Sequence, residues 1–339
     1  MTAQTVRLFA PALMMWGLLG CATQSETIVT PIPFAGKDPR HITSDYVQRR
    51  AGQPFILIGA GDVAACDRAV FERARKTANV IRNYPDAIVF TAGDNVYRPI
   101  PRLGSARSED FENCYGRTWG QFRERTLPAP GNHDYGSGPV THSLDAYFRY
   151  FGRNTSNLTT MGKAYYSAEL GTWHLISLDS DIVDRHPEHA DVKAQILWLQ
   201  ADLAQASQRG AKCVVAIWHH SRFARRGPHK DNEKMQPFWD LLVAAKADIA
   251  ITGHSHHYEA HEPKNNRGQS DPNGLRQFVV GTGGIGDELA PNKLDDPFGV
   301  LKLTLEPDRY SWQFIHTDGP EVDAKDGPVT GSGVCKPKT

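Results

Sequence analysis

The sequence lacks an excess of charge of either sign. Its 339 residues include 38 Lys plus Arg and 38 Asp plus Glu, so the formal net charge is zero. Proteins that follow the phosphate backbone of a nucleic acid need clustered positive charge, and this composition gives no indication of it. We therefore expect no nucleic-acid-binding surface.

The sequence also lacks an apolar run long enough to cross a membrane. The run Leu8–Leu19 follows Arg7 and is shorter than the roughly 20 apolar residues that a transmembrane helix needs. Such a run is typical of a signal-peptide core, so residues 1–20 are predicted to be a signal peptide that directs export. Residues 21–52 contain three prolines and little periodicity, which predicts a tether.

The remaining chain has neither internal repeats nor low-complexity segments, and its 40% hydrophobic content is typical of a globular protein. The predicted strands cover residues 54–59, 86–91, 165–170, 173–179, 212–218, 248–252, 277–280, 300–305 and 310–315, and the predicted helices 68–82, 191–208 and 236–246. The strand–helix–strand order at residues 54–91 predicts parallel strands, whose carboxyl ends gather functional residues at one sheet edge. Residues 53–318 are predicted to form one catalytic domain, and residues 319–339 a loosely packed, glycine-rich tail.

Five short polar blocks are present, most of them directly after a predicted strand. They are Gly61-Asp62, Gly93-Asp94-Asn95-Val96-Tyr97, Gly131-Asn132-His133-Asp134, Trp218-His219-His220 and Gly253-His254-Ser255-His256. The blocks supply hard oxygen donors and imidazoles as candidate metal ligands, namely Asp62, Asp94, Tyr97, Asn132, His219, His254 and His256. This mixture suits divalent or trivalent first-row metals, and seven donors suit two ions better than one.

The order of these blocks, GD, GDxxY, GNH[DE], xxxH and GHxH, resembles that of the calcineurin-like metallophosphoesterases. The tyrosine of the second block makes the chain similar to the purple acid phosphatase branch of that family. The resemblance covers Pro54 to His316 and implies an α/β fold, a four-layer helix–sheet–sheet–helix sandwich. It also implies hydrolysis of phosphate monoesters by two metal ions, with a metal-bound hydroxide as nucleophile.

The resemblance assigns the ligands to two ions that share Asp94 as a bridge. The first ion is completed by Asp62, Tyr97 and His256, and the second by Asn132, His219 and His254. Because a phenolate is a hard, charged donor, the first ion is expected to be Fe(III) and the second a divalent Fe, Zn or Mn. The block spacing selects His219 over its neighbour His220, and His256 over His257.

Three further residues resemble the family's catalytic groups. His133 corresponds to a histidine placed against the phosphoryl group and the leaving oxygen, with Asp134 orienting it. His229 is a second candidate acid. Nearby basic residues can either grip a second phosphate or an acidic substrate, or form a solvated basic loop; these are Arg222, Arg225 and Arg226.

The expected partner is a small phosphorylated substrate, but the activity has alternatives. Related sites also cleave phosphodiesters, so a phosphodiesterase acting on nucleotides or lipid headgroups is the first alternative. A non-catalytic metal-binding lipoprotein is the second. Relative turnover of a phosphate monoester and its diester separates the two enzymes.

The five cysteines carry information about export and disulfides. Leu18-Leu19-Gly20-Cys21 resembles the cleavage box of bacterial lipoproteins, which implies that a lipidated Cys21 anchors the protein to a bacterial membrane. The alternative is an ordinary cleaved signal peptide, which leaves the protein periplasmic or secreted. The other four cysteines permit three disulfide pairings. The family resemblance favours Cys66–Cys114, which leaves Cys213 either bonded to Cys335 or buried and free.

Overall fold

A computed structural model of the chain describes residues 43, 46–47, 53–98, 106–135, 143–152, 164–226, 229–286, 297–317 and 322–338. The predicted signal peptide and Cys21 lie outside these ranges, as does most of the predicted tether. Tyr46 of the tether is buried against Phe55, and its hydroxyl accepts a 2.8 Å hydrogen bond from the backbone N–H of Ile56. This part of the tether therefore packs against the folded domain.

The strands of the described residues are numbered in chain order. They are β1 (Phe55–Ala60), β2 (Ala64–Ala65), β3 (Ile88–Ala92), β4 (Val96–Tyr97), β5 (Thr126–Ala129), β6 (Tyr166–Leu170), β7 (Trp173–Ser177), β8 (Cys213–Ile217), β9 (Ile249–Thr252), β10 (Tyr258–Ala260), β11 (Arg276–Val280), β12 (Gly299–Leu305), β13 (Arg309–His316) and β14 (Thr330–Val334).

The α-helices with described bounds are α1 (Arg68–Arg82), α2 (Ser108–Asp110), α3 (Asp145–Phe151), α4 (Asp181–Arg185), α5 (Ala190–Gln208) and α6 (Gln236–Ala244). A π-helical segment follows α2 at Phe111–Tyr115, and 3-10 helices cover Trp119–Arg125, Glu233–Met235 and Ala324–Asp326. Among the described residues, none of the helices combines the length and apolar character needed to cross a bilayer.

Most of the strands belong to two six-stranded sheets. The first sheet has the order β14-β13-β12-β1-β3-β5, and the second has the order β10-β11-β9-β8-β7-β6. In the first sheet β1, β3 and β5 run parallel, and in the second β7, β8, β9 and β11 run parallel. The short strands β2 and β4 pair only with each other in a parallel ladder among the described residues.

The two sheets enclose an apolar core, and helices cover their outer faces. On β8, Val215 and Ile217 join the core between the sheets, while Val214 and Ala216 join a second core beneath α5 and α6. Alternate side chains of this strand are buried on opposite faces, which explains its unbroken apolar sequence. On the other side, α1 covers the first sheet with residues at helical spacing, including Ala74, Ala78 and Ile81. The predicted four-layer helix–sheet–sheet–helix sandwich is confirmed.

The C-terminal segment differs from the predicted loosely packed tail, which is wrong for its second half. β14 pairs antiparallel with β13 at the edge of the first sheet. Its glycines allow this pairing because aromatic rings of β13 lie directly over them. A Cβ on Gly331 would lie 2.3 Å from the Trp312 ring, and one on Gly333 would lie 2.5 Å from the Tyr310 ring. The glycine content that suggested a loose tail is a packing requirement of this strand.

Two disulfides are present, the Cys66–Cys114 bridge that the family resemblance favours and the Cys213–Cys335 bridge that the sequence left open. Cys66 is bonded to Cys114, with their Cα atoms 4.9 Å apart. Cys213 at the start of β8 is bonded to Cys335 just after β14, with Cα atoms 5.3 Å apart. The preferred pairing is therefore confirmed, and the second bridge links the C-terminal segment to the second sheet.

Candidate metal centre

The predicted metal donors lie in loops that follow the carboxyl ends of parallel strands. β1 precedes Asp62, β3 precedes Asp94 and Tyr97, β5 precedes Asn132, β8 precedes His219, and β9 precedes His254 and His256. Backbone hydrogen bonds join these loops, since Asp62 N donates to Gly93 O at 3.0 Å and Gly253 N donates to His219 O at 3.0 Å. The structure brings all seven donors together, in two sets.

The first set consists of Asp62, Tyr97 and His256. The Tyr97 hydroxyl lies 2.6 Å from Asp62 Oδ1 and 3.3 Å from His256 Nε2. His256 Nε2 in turn lies 3.4 Å from Asp62 Oδ1. Three potential ligand atoms from three separate loops therefore converge on one point, in the grouping that the resemblance implies for the first ion.

The second set consists of Asn132, His219 and His254, with Asp94 beside them. His219 Nε2 lies 3.0 Å from Asn132 Oδ1, 3.1 Å from His254 Nδ1 and 3.2 Å from Asp94 Oδ2. The ligand atoms of Asp94, His219 and His254 all lie within 4.8 Å of one another, a spacing that fits a shared ion. This grouping is the one implied for the second ion.

Backbone carbonyls fix the orientation of two of the imidazoles. His219 Nδ1 lies 2.9 Å from Ala92 O, and His256 Nδ1 lies 3.0 Å from Gly286 O. Because each carbonyl can only accept a hydrogen bond, Nδ1 of each ring donates to it, and Nε2 is the nitrogen left to bind a metal ion. Metal-binding histidines are typically held in this way.

The ligand loops adopt strained backbone conformations. Of the four non-glycine residues with positive φ in the described ranges, three are candidate ligands: Asp62 at 58°, Asp94 at 49° and His254 at 68°. Such conformations are uncommon for residues with a Cβ and tend to cluster at functional sites, where surrounding contacts enforce them. One such contact is the 2.9 Å hydrogen bond from His254 N to Asp62 Oδ2.

The charges in the site are those that a cation would balance. Burial alone raises the pKa of Asp94, but His219 and His133 hold that pKa well below its usual value, so the carboxylate is ionised. Burial and the neighbouring carboxylates, Asp62 foremost, raise the pKa of Tyr97 well above its usual value. A phenolate at Tyr97 therefore requires a cation beside it, which fits the hard ion expected in the first set.

His133 lies against the first set without joining it. Its ring centroid is 4.1 Å from that of Tyr97, and its backbone N–H donates to Asp94 Oδ1 at 2.7 Å. The ring also interacts electrostatically with Asp94, His219, Asp62 and His256. The side chain is thus close to both sets, as expected of a group that acts on a bound phosphoryl ester.

Asp134 occupies a different position from the one that the sequence suggests. Its buried carboxylate accepts hydrogen bonds from Gly131 N at 2.9 Å and from Asn95 Nδ2 at 2.8 Å, instead of orienting the ring of His133. Burial, together with the charge of Asp94, raises the pKa of Asp134 to about 7. Asp134 therefore links the ligand-bearing loop after β3 to the one after β5 and holds the two loops together.

His229 reaches the second set from a separate loop. Its ring centroid lies 4.0 Å from that of His254 and 6.3 Å from that of His256. The backbone carbonyl of His229 accepts a 2.6 Å hydrogen bond from Ser255 Oγ, which ties this loop to the GHxH block. The structure thus brings this candidate acid to the edge of the metal site.

The two histidines that the block spacing rejects have other partners. His220 is buried, with Nδ1 3.0 Å from Ser180 Oγ and its ring 4.3 Å from that of His254. His257 is also buried, and its Nε2 lies 2.7 Å from Glu259 Oε1. Both histidines therefore pack against the ligand loops and stabilise them.

The three arginines of the loop after His219 all have hydrogen-bond partners within the protein. Each binds elsewhere in the protein: Arg222 to Gln236, Arg225 to the carbonyls of Ala260 and Lys325, and Arg226 to Asp326. These contacts give the three arginines a structural role that neither interpretation from the sequence includes. The reason is tertiary, since the partners come from α6, β10 and the C-terminal segment.

The connection between β7 and α4, together with α4 itself, was not predicted to contribute to the site. Ser180 Oγ accepts a 3.2 Å hydrogen bond from His219 N, and Arg185 Nη2 donates to Asn132 O at 3.3 Å. This connection therefore positions two candidate ligands. The triplet Asp179-Ser180-Asp181, polar and at the end of a buried strand, is the signal that could have identified it.

Comparison with known proteins finds curated relatives of this chain. Purple acid phosphatase 15 of Arabidopsis thaliana is 26% identical over 267 residues, which are 71% of this chain and 49% of that protein. The chain thus spans about half the length of the curated relatives it matches.

Two solved structures share the fold. Purple acid phosphatase PPD1 from yellow lupin, Lupinus luteus, has a TM-score of 0.55 at 20% identity, covering 83% of this chain and 53% of that one. A dimetal phosphatase from Danio rerio has a TM-score of 0.56 at 11% identity, covering 84% of this chain and 100% of that one.

The family assignment rests on a model described as calcineurin-like phosphoesterase, which matches residues 55–258. This match covers more than half of the chain and includes all seven candidate ligands and all five polar blocks. The chain therefore belongs to the calcineurin-like phosphoesterase family.

Proposed function

We propose that this protein hydrolyses phosphate monoesters at a centre of two metal ions. The observation that carries the proposal is the convergence of seven metal-type donors in two sets around one buried carboxylate. Asp94 Oδ2 lies 3.2 Å from His219 of the second set, and Asp94 also interacts with the Tyr97 hydroxyl of the first. This position supports Asp94 as the shared ligand.

The donor chemistry of the two sets favours different ions. The carboxylate and phenol oxygens of Asp62 and Tyr97 suit Fe(III), and the two imidazoles of the second set suit a divalent Fe, Zn or Mn. Two such ions, when bound, acidify water and neutralise the charge on phosphoryl oxygens. Family membership supports two ions, and the donor types support this pair of metals.

The chain's own groups would orient the ester and supply a proton. His133 and His229 lie beside the first and second sets, so a phosphoryl group bound between the sets would meet an imidazole on either side. Burial lowers the pKa of His133, which makes its protonated form a stronger acid that is populated at lower pH. We assign donation to the leaving oxygen to His133, with His229 as the second acid.

Export is part of the proposal. Two disulfides within the described residues are typical of proteins that fold in oxidising compartments. A small phosphorylated substrate met outside the cytoplasm is the partner that fits. Retention at a bacterial membrane through lipid on Cys21 is proposed from the sequence, since that residue lies outside the described ranges.

Metal analysis combined with two esters tests the proposal. Purified protein should contain two metal ions per chain and hydrolyse nitrophenyl phosphate faster than the bis(nitrophenyl) diester. Faster turnover of the diester would instead identify a phosphodiesterase. Two bound ions without turnover of either ester would favour a non-catalytic metal-binding protein.

A further inference from the structure

The loop that carries His229 is closed at its base. We call residues 221–232 the His229 loop; residues 227 and 228 lie outside the described ranges. Asn232 N donates to Ser221 O at 3.2 Å, and Ala224 N donates to Asp231 Oδ1 at 2.7 Å. These bonds close the base of the loop. The orientation of the loop relative to the metal centre depends on other contacts.

On its outer side, the His229 loop is bound by the C-terminal segment. Arg226 Nε and Nη2 donate to the two carboxylate oxygens of Asp326 at 2.9 and 2.8 Å. The Asp326 side chain is only 2% exposed, whereas that of Arg226 is 27% exposed. The two residues are 100 positions apart, and such a paired, shielded guanidinium–carboxylate contact fixes geometry as well as distance.

The C-terminal segment is itself firmly attached to the domain. Pro328 O accepts a 2.9 Å hydrogen bond from the hydroxyl of Tyr258 on β10. Gly327, with φ of 99°, lies so close to β10 that a Cβ would be 2.2 Å from Ala260 O. Beyond β14, Cys335 is bonded to Cys213. Asp326 therefore projects from a fixed support and not from a free tail.

We propose that Arg226 and Asp326 are positioning residues that hold His229 over the metal centre. On its inner side the loop is held through its backbone, because Ser255 Oγ donates to His229 O and Arg225 N donates to Glu259 Oε1. The Arg226–Asp326 pair adds a buried, two-bond contact on the outer side, where Arg225 also donates to backbone carbonyls. Together the inner and outer contacts set the direction in which the imidazole projects. The inference rests on the proposed function only in assigning His229 an effect on phosphoester hydrolysis.

Kinetics of Asp326→Asn and Arg226→Lys test this inference. Asp326→Asn keeps the side chain's size and removes its charge, and Arg226→Lys keeps the charge and removes the paired geometry. Each should lower kcat/KM for an alkyl phosphate by roughly 10²-fold, as should His229→Ala, which is the lower end of a proton donor's contribution. Metal content should stay at two ions per chain.

A double-variant cycle separates positioning from general destabilisation. Adding His229→Ala to Asp326→Asn should lower the rate by no more than about twofold further, because the first change already removes what the second residue contributes. If the rate losses of the two single variants multiplied in the double variant, the inference would be overturned. The matched control is Asp323→Asn, on the same segment but 51% exposed and paired with Lys325, which should retain the wild-type rate.

Hydrogen exchange measures the loop independently of turnover. Backbone amides of residues 221–226 should exchange faster in metal-loaded Asp326→Asn than in the wild type or Asp323→Asn, and unchanged exchange would overturn the inference. If His229→Ala keeps the wild-type rate, the pair positions a residue without a catalytic effect and the inference fails, while phosphate release by the wild type leaves the proposed function intact. Conversely, wild-type protein that releases no phosphate contradicts the proposed function, and the exchange result still decides whether Asp326 holds the loop.

Discussion

His174 should make the stability of this protein depend on pH. The imidazole is fully buried on β7, with Nε2 2.7 Å from Asp202 Oδ2 and Nδ1 2.9 Å from Glu169 Oε1. Burial by itself lowers the pKa of His174, but the hydrogen bonds to Asp202 and Glu169 outweigh it and raise the pKa to about 9. The folded protein thus holds a proton that the unfolded chain releases near pH 6.5.

The size of the effect follows from the two pKa values. A change from 6.5 to about 9 corresponds to about 3 kcal/mol, at ~1.4 kcal/mol for each tenfold change in the protonation equilibrium. Because the folded-state pKa is the higher one, this stabilisation is fully present below pH 6.5 and is lost as the pH rises through about 9.

Urea unfolding at about pH 6 and about pH 9.5 measures this loss directly. Over that interval the wild type should lose about 3 kcal/mol more of its free energy of unfolding than His174→Gln, which cannot take up the proton. His189→Gln is the control, because His189 is 55% exposed and lies 3.6 Å from Asp191. Equal losses in the wild type and His174→Gln would refute the reasoning.

Three further predictions concern the site and export. His133→Ala should keep both metal ions, since Asn132 belongs to the donor set and His133 does not, yet lose roughly 10²–10⁴ in rate on alkyl phosphates. The loss should be smaller on aryl phosphates, whose leaving groups need little protonation; equal losses on both esters would remove the leaving-group assignment. Tyr97→Phe should abolish visible tyrosinate absorption while circular dichroism stays unchanged, and a persisting band would exclude Tyr97 as a ligand. Cys21→Ser should prevent lipid labelling and membrane retention, whereas unchanged retention would favour an ordinary signal peptide.

The location of the metal centre could be predicted because its donors are encoded locally. Each donor follows a buried strand within a few residues, and parallel strand order sends such ends to one edge. Asp62, Asp94 and His254 also need strained backbone, which their short glycine-containing blocks help to provide. The local sequence therefore specifies both the donor groups and the turn conformations that present them.

What the sequence could not reveal depends on partners that are distant along the chain. Arg226 belongs to a basic segment whose composition suggests a substrate-binding loop. Its structural role becomes visible only through its contact with Asp326, 100 residues later in the chain. Gly331 by itself suggests a loosely packed tail, but in the structure the Trp312 ring lies directly over it. Asp134 is next to His133 in sequence, yet it faces Asn95. Side-chain partners of this kind are set by tertiary packing.

The most direct test of the central claim is the metal content of Asp94→Ala. Because Asp94 is proposed to belong to both ions, its loss should weaken both together, so the variant should bind neither ion stoichiometrically and release no phosphate. Asp240→Ala, a change on the exposed side of α6, should keep two ions per chain and the wild-type rate. Asp94→Ala that retains two ions and wild-type phosphate release would contradict the shared-carboxylate centre.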